Sequence, residues 1–139
     1  MSGGFSITLP PGGILLGLGC DLIEVERIHG VLQRHGERFL QRIFTEEERS
    51  YCSGLKHPHK HYAARWAAKE AVSKTLTTGI GAHLDWTSVS IYHGMRQEPL
   101  VRLDDKARTL LQQVGATGVL ISLSHTETHA MAVAALVRG

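Results

Sequence analysis

Apolar positions along this chain change from unbroken runs to a three-to-four spacing and back, and each change marks an element. Ile14–Gly19 is a short apolar run of the kind a core strand makes, which puts Asp21 at the strand exit. Leu22, Val25, Ile28, Leu32, Phe39 and Leu40 then recur at helical spacing, so residues 22–40 are expected to be mostly helical, interrupted at Gly30 and Gly36. Thr45, followed three residues later by Glu48, has the form of a capping box and predicts a new helix start. The tract GLKHPHKH at 54–61 reads as a loop through Gly54 and Pro58; a long helix follows from about His61 to Leu76 and stops near Thr77, where TTGIG supplies two glycines. Trp86–Ile91 predicts a strand, Gly94–Pro99 a turn and Leu100–Leu103 a second strand, while Asp104 or Asp105 caps a helix through Gln113 that stops at Gly115. Val119–Ser124 and Met131–Val137 are apolar strands joined by HTETHA as a hairpin. Together these predict an α+β fold: one compact domain with a small, mainly antiparallel sheet and the long helix packed on it.

At 139 residues and 42% apolar, the chain can bury one core, so a single domain over residues 14–139 is expected behind a Gly-, Pro- and Ser-rich lead at 1–13 that should be flexible. No basic head and no long apolar run precede Cys20 and Asp21, so neither a signal peptide nor a membrane span is predicted and a cytoplasmic location is expected. Cys20 and Cys52 are the only cysteines; their spacing fits no metal motif and both are read as reduced thiols without a neighbouring base. The formal charge is only +2, yet residues 27–74 hold ten Arg or Lys against five Asp or Glu. This local basic field suits an acidic partner or a phosphorylated ligand as well as it suits a solvated helical surface.

Chemistry concentrates in YAARWAAKEAVSK at 62–74. Arg65 and Lys69 share a helical face, as do Trp66 and Glu70, and Glu70 and Lys74, with alanines leaving room beside them. Glu70 either pairs with Lys74 on the surface or serves a cation; a magnesium ion would need a second hard oxygen ligand, for which Asp21 is the candidate. Asp21 alternatively caps the helix expected at Leu22, a role that Asn would fill while serving a metal poorly. Small residues from Ser73 to Gly81, Gly79 among them, can wall a phosphate with Lys74 as a point charge, although neither GLGCD nor TTGIG has a Rossmann or P-loop pattern. His125 follows an apolar strand and either faces a site from that rigid edge or is a satisfied structural histidine. His57, His59 and His61 lack a cysteine or acidic partner at useful spacing and read as surface histidines.

Four ordered segments, GLGCDLIEVERI at 17–28, RIFTEEERSYC at 42–52, ARWAAKEAVSKTLTTGIG at 64–81 and ISLSHTETHA at 121–130, resemble the bacterial holo-[acyl-carrier-protein] synthases, the short type of 4'-phosphopantetheinyl transferase. The resemblance covers nearly the whole chain from Gly17 and implies that superfamily's fold. It implies magnesium-dependent transfer of the 4'-phosphopantetheine arm of coenzyme A to a serine of apo acyl carrier protein, with release of adenosine 3',5'-bisphosphate, in support of fatty acid biosynthesis. By the same resemblance Asp21 and Glu70 are the metal carboxylates and Lys74 lies beside the diphosphate. Arg65, Lys69, Ser73, Gly79 and His125 are expected around coenzyme A, with Arg65 and Lys69 alternatively in a supporting ion pair and Lys69 alternatively neutralising Glu70. Thr126 stands where some relatives carry an acidic residue, which weakens a mechanism needing a carboxylate directly after this histidine.

The family docks its acidic carrier on the first helical region, to which Arg27, Arg34, Arg38 and Arg42 belong here. Its short members are similar in forming trimers, so a homotrimer with coenzyme A at each subunit boundary is expected. A nucleic-acid-binding module would need a motif that this chain lacks. A metal-dependent phosphohydrolase uses the same kinds of residue but leaves a carrier protein's mass unchanged.

Overall fold

The computed structural model describes residues 12–139, so the expected lead lies almost wholly outside the described residues. The chain runs β1 (Ile14–Glu24), α1 (Val25–Ile43), α2 (Glu46–Ser53), α3 (Pro58–Thr75), a 3₁₀ turn (Trp86–Ser88), β2 (Val89–His93), β3 (Pro99–Leu103), α4 (Asp105–Gln113), β4 (Gly118–His125) and β5 (His129–Arg138). The strands form a three-stranded sheet in the order β1-β5-β4 and a separate β2-β3 hairpin, every pairing antiparallel. This is the expected α+β architecture, with its sheet in two pieces.

Helix α3 is the centre of the molecule. Ala63, Ala64, Ala67, Ala68, Ala71 and Val72 are at most 2% exposed, and their small side chains let the helix lie close against β1 and β5. It starts at Pro58 rather than near His61, because proline is favoured in a first helical turn, where its missing N–H costs nothing.

Strand β1 departs from expectation. It continues through Asp21 and Leu22 to Glu24, so Asp21 is inside the strand opposite Ala132 and is no helix cap. Alternation explains this: Gly19, Asp21 and Ile23 turn toward α3 while Leu18, Cys20 and Leu22 turn outward, a period of two that the leucine spacing had masked. The outward face is not a core face in the single chain, since Leu18 and Leu22 are 62% and 66% exposed. Helix α1 therefore begins at Val25 and is broken at Gly36, whose φ of 57° leaves the helical range.

Thr45 and Glu48 form the predicted capping box, with the Glu48 N–H donating to Thr45 Oγ1 and the Thr45 N–H to Glu48 Oε1. Residues 86–88 are a 3₁₀ turn and not the start of a strand, because Asp85 and Ser88 cap each other across it. Asp104 caps α4 by accepting from the Ala107 N–H at 2.9 Å, and the β4–β5 hairpin pairs as expected from Gly118 opposite Val137 to His125 opposite Ala130.

Candidate active site

Asp21 comes from the middle of β1 and Glu70 and Lys74 from one face of α3, four residues apart. Lys74 Nζ donates to the Cys20 carbonyl at 2.8 Å and meets Asp21 Oδ1 at 3.3 Å, strapping strand to helix. The Glu70 carboxyl is pushed above its ordinary range, first by burial and then by the negative charge of Asp21, with Lys74 opposing both. A half-buried carboxylate whose charge is disfavoured by a second carboxylate nearby suits a hard divalent cation. Among the described residues no group of three or more His, Cys, Asp or Glu gathers into a metal site. A pair of carboxylates is a donor set magnesium accepts, since that ion takes one or two carboxylates and fills its octahedron with phosphate and water. The residues therefore fit the ion.

The other expected ligand-binding residues divide into separate places. Lys69 is wholly enclosed: its ammonium pairs with Glu48 at 2.7 Å and donates to the carbonyls of Trp86 and Val89. It neither faces a ligand nor neutralises Glu70, which corrects those two expectations, and stands instead in a supporting ion pair with Glu48. Ser73 is 1% exposed and its hydroxyl donates to the Glu70 carbonyl at 2.7 Å, so it is occupied within the helix. Gly79 lies in the loop after α3 with a φ of 66° and open space around it.

Arg65 and His125 form a second cluster. Arg65 is 1% exposed, its guanidinium lies 4.5 Å from the centre of the Tyr51 ring, and its Nε and Nη2 have no hydrogen-bond partner. It lines a cavity of about 300 Å³ with Glu47, Tyr51, Tyr92 and His93. The His61 ring sits edge-on to both His125 and Tyr51, and burial, His125 and Arg65 lower its pKa. Arg65 and Glu70 are five residues apart, on different sides of α3, so one subunit does not bring His125 beside the Asp21–Glu70 pair. A larger groove of about 620 Å³ between β3, α4 and β4 contains none of the predicted residues.

Tyr51 and His93 carry no local signal for this cluster, and His61, expected as a surface histidine, belongs to it. The signal for His61 was there, since 61, 65 and 69 follow one helical stripe; Tyr51 and His93 reach Arg65 only through tertiary packing. His59 is likewise no free surface group, for its ring packs tilted against that of His29 with centres 4.0 Å apart. Cys52 is fully buried and its pKa is pushed up to about 12 by that burial, which removes it as a nucleophile. Arg27, Arg34, Arg38 and Arg42 are all exposed on α1, and among the described residues none is in an ion pair.

Residues 17–134 match the 4'-phosphopantetheinyl transferase superfamily, which places the protein among enzymes that transfer a phosphorylated group. The chain is 44% identical over 120 residues to a holo-[acyl-carrier-protein] synthase of Chlamydia trachomatis serovar L2, covering 86% of this chain and 98% of that one. The fold matches the crystal structure of holo-[acyl-carrier-protein] synthase from Neisseria meningitidis with a TM-score of 0.82 at 28% identity, over 88% and 98% of the two chains. It also matches the Bacillus anthracis synthase in complex with CoA (3',5'-ADP), with a TM-score of 0.75 at 31% identity, over 90% and 98%. The chain belongs to the holo-[acyl-carrier-protein] synthase family.

Proposed function

We propose that this enzyme transfers the 4'-phosphopantetheine group of coenzyme A to a serine of apo acyl carrier protein, using magnesium at Asp21 and Glu70, and so serves fatty acid biosynthesis in the cytoplasm. The observation that carries the metal assignment is that Asp21 of β1, bridged to Lys74, stands near enough to Glu70 for its charge to be felt there, in a chain of this family. In the transfer the serine oxygen forms a bond to the phosphorus that bears the pantetheine arm. The bond from that phosphorus to the oxygen of the 5'-phosphate breaks, releasing adenosine 3',5'-bisphosphate, and the serine proton passes to solvent. A neutral hydroxyl attacks a phosphorus already crowded with negative charge, so placement and charge neutralisation do most of the work. Magnesium, when bound, supplies that neutralisation at the diphosphate. Lys74, half-exposed on a flexible stem, adds a second positive charge there.

The unpaired donors of Arg65, with His93 beside them, suit an anionic part of the coenzyme. This cluster and the carboxylate pair lie apart within one chain, and the sheet face carrying Leu18, Leu22, Leu120, Met131 and Val133 is exposed and apolar. Both features support a homotrimer in which neighbouring subunits share each coenzyme. The exposed arginines of α1 suit the acidic carrier.

The test is the intact mass of apo acyl carrier protein after incubation with this enzyme, coenzyme A and Mg²⁺. A gain of one phosphopantetheine arm is expected, abolished by chelator, Asp21→Ala or Glu70→Ala. Reversing Arg27 and Arg38 to Glu should raise KM for the carrier much more than KM for coenzyme A; equal effects sink the docking assignment. Consumption of coenzyme A without a change in carrier mass would instead mean hydrolysis.

A further inference from the structure

Asp21 and Glu70 belong to different elements, so the distance between their carboxylates depends on how closely β1 lies on α3. Of the two β1 glycines that face α3, Gly19 is the more tightly enclosed, two residues before Asp21 and on the same face of the strand. A Cβ built there would lie 2.2 Å from the backbone oxygen of Ala71 and 3.1 Å from Cβ of Lys74. Ala71 directly follows Glu70, and Lys74 is the residue that straps α3 to Cys20 and Asp21. The obstructing atom is helix backbone and cannot swing aside, so any side chain at 19 must part strand and helix by roughly 1 Å to reach ordinary contact distance. The same strand supplies its own contrast. Gly17 also faces α3, but a Cβ there would sit 3.6 Å from the Thr75 oxygen, an ordinary contact.

We propose that Gly19 is the positioning residue of the carboxylate pair: the absence of a side chain lets β1 seat against α3 at the spacing that allows Asp21 and Glu70 to act on one divalent cation. This rests on the reading of those two carboxylates as cation ligands. Gly19 touches no substrate. Its effect passes through the strand to Asp21, and it therefore governs cation affinity before it governs the chemistry. A glycine that served only packing would govern stability and leave the cation alone.

Mn²⁺ binding to the purified protein without substrates, followed by the EPR signal of the free ion, separates these roles. Gly19→Ala should keep its far-ultraviolet circular dichroism and bind Mn²⁺ about 10–100-fold more weakly, the range seen when groups that orient metal ligands are lost. The Mg²⁺ concentration for half-maximal transfer should rise in proportion, while KM for coenzyme A at saturating Mg²⁺ holds. Gly17→Ala should bind Mn²⁺ as the wild type does, and Asp21→Ala should not bind it. Wild-type Mn²⁺ affinity in Gly19→Ala, even with a lowered Tm, overturns the proposal. So does equal weakening by Gly17→Ala, or failure of Gly19→Ala to fold, since the displacement is held to be local. Equal Mn²⁺ binding by the wild type and Asp21→Ala would instead remove the metal assignment beneath it.

Discussion

Glu70 shows at the scale of one residue what the carboxylate pair costs the fold. Its folded pKa lies above the ordinary 4.5, because burial and Asp21 both disfavour its charge. A raised folded pKa contributes stability below the unfolded value and loses it as pH rises through the folded value. Without metal, the wild type should therefore lose stability over the window just above 4.5 relative to Glu70→Gln, which keeps the shape without the charge. At neutral pH Glu70→Gln should melt higher than the wild type in chelator, and added Mg²⁺ should raise only the wild-type Tm. A lower Tm for Glu70→Gln in chelator would show that the pair is not strained. That Glu70 and Lys74 share a face was legible in the sequence because helical spacing fixes which α3 residues lie together, whereas the seat of Asp21 on β1 beside them was decided by the fold. The burial of Lys69 was not, since its partner Glu48 lies 21 residues earlier.

Among elements, Glu48 joins α2, α3 and β2. One carboxylate oxygen closes the capping box and meets Lys69, while the other accepts from the Ile91 N–H at 3.0 Å. Sequence pattern exposed the capping role because it is local, and hid the rest because those partners are brought by the fold. Lys69→Met would strand a buried anion, and urea unfolding should register a loss of about 3–5 kcal/mol. Adding Glu48→Gln should recover part of it, because the stranded charge is then gone; no recovery would locate the cost in packing instead. The elements themselves were mostly legible, and the errors have physical causes. Leu22 fits a helical stripe and a strand face equally well, and ladder pairing with Met131 decided for the strand. Pro58 reads as a breaker but opens α3.

For the whole molecule, the outward face of β1-β5-β4 is the feature that one chain leaves unresolved. Leu18, Leu22, Leu120, Met131 and Val133 are 36–66% exposed on neighbouring strands, a contiguous apolar surface of the kind that subunits cover. Light scattering on the wild type should give the mass of three chains. Leu18→Asp, a charge on the β1 side of that face, should shift the mass toward one chain and lower activity, while far-ultraviolet circular dichroism stays native. A fully active monomer in either protein would refute the trimer.

Local pattern alone determined the Thr45–Glu48 capping box, the amphipathic stripe of α1 beyond Val25, the β4–β5 hairpin and the set of α3 residues on each helical face, because these depend on neighbours within a few positions. Tertiary structure alone decided that Asp21 is a strand residue beside α3, that Lys69 serves Glu48 in the core, that Arg65 and His125 stand apart from the carboxylate pair, and that Gly19 meets Ala71. Those are encounters between distant segments. Which groups meet there depends on how closely two backbones can approach, a quantity that no spacing along the chain contains.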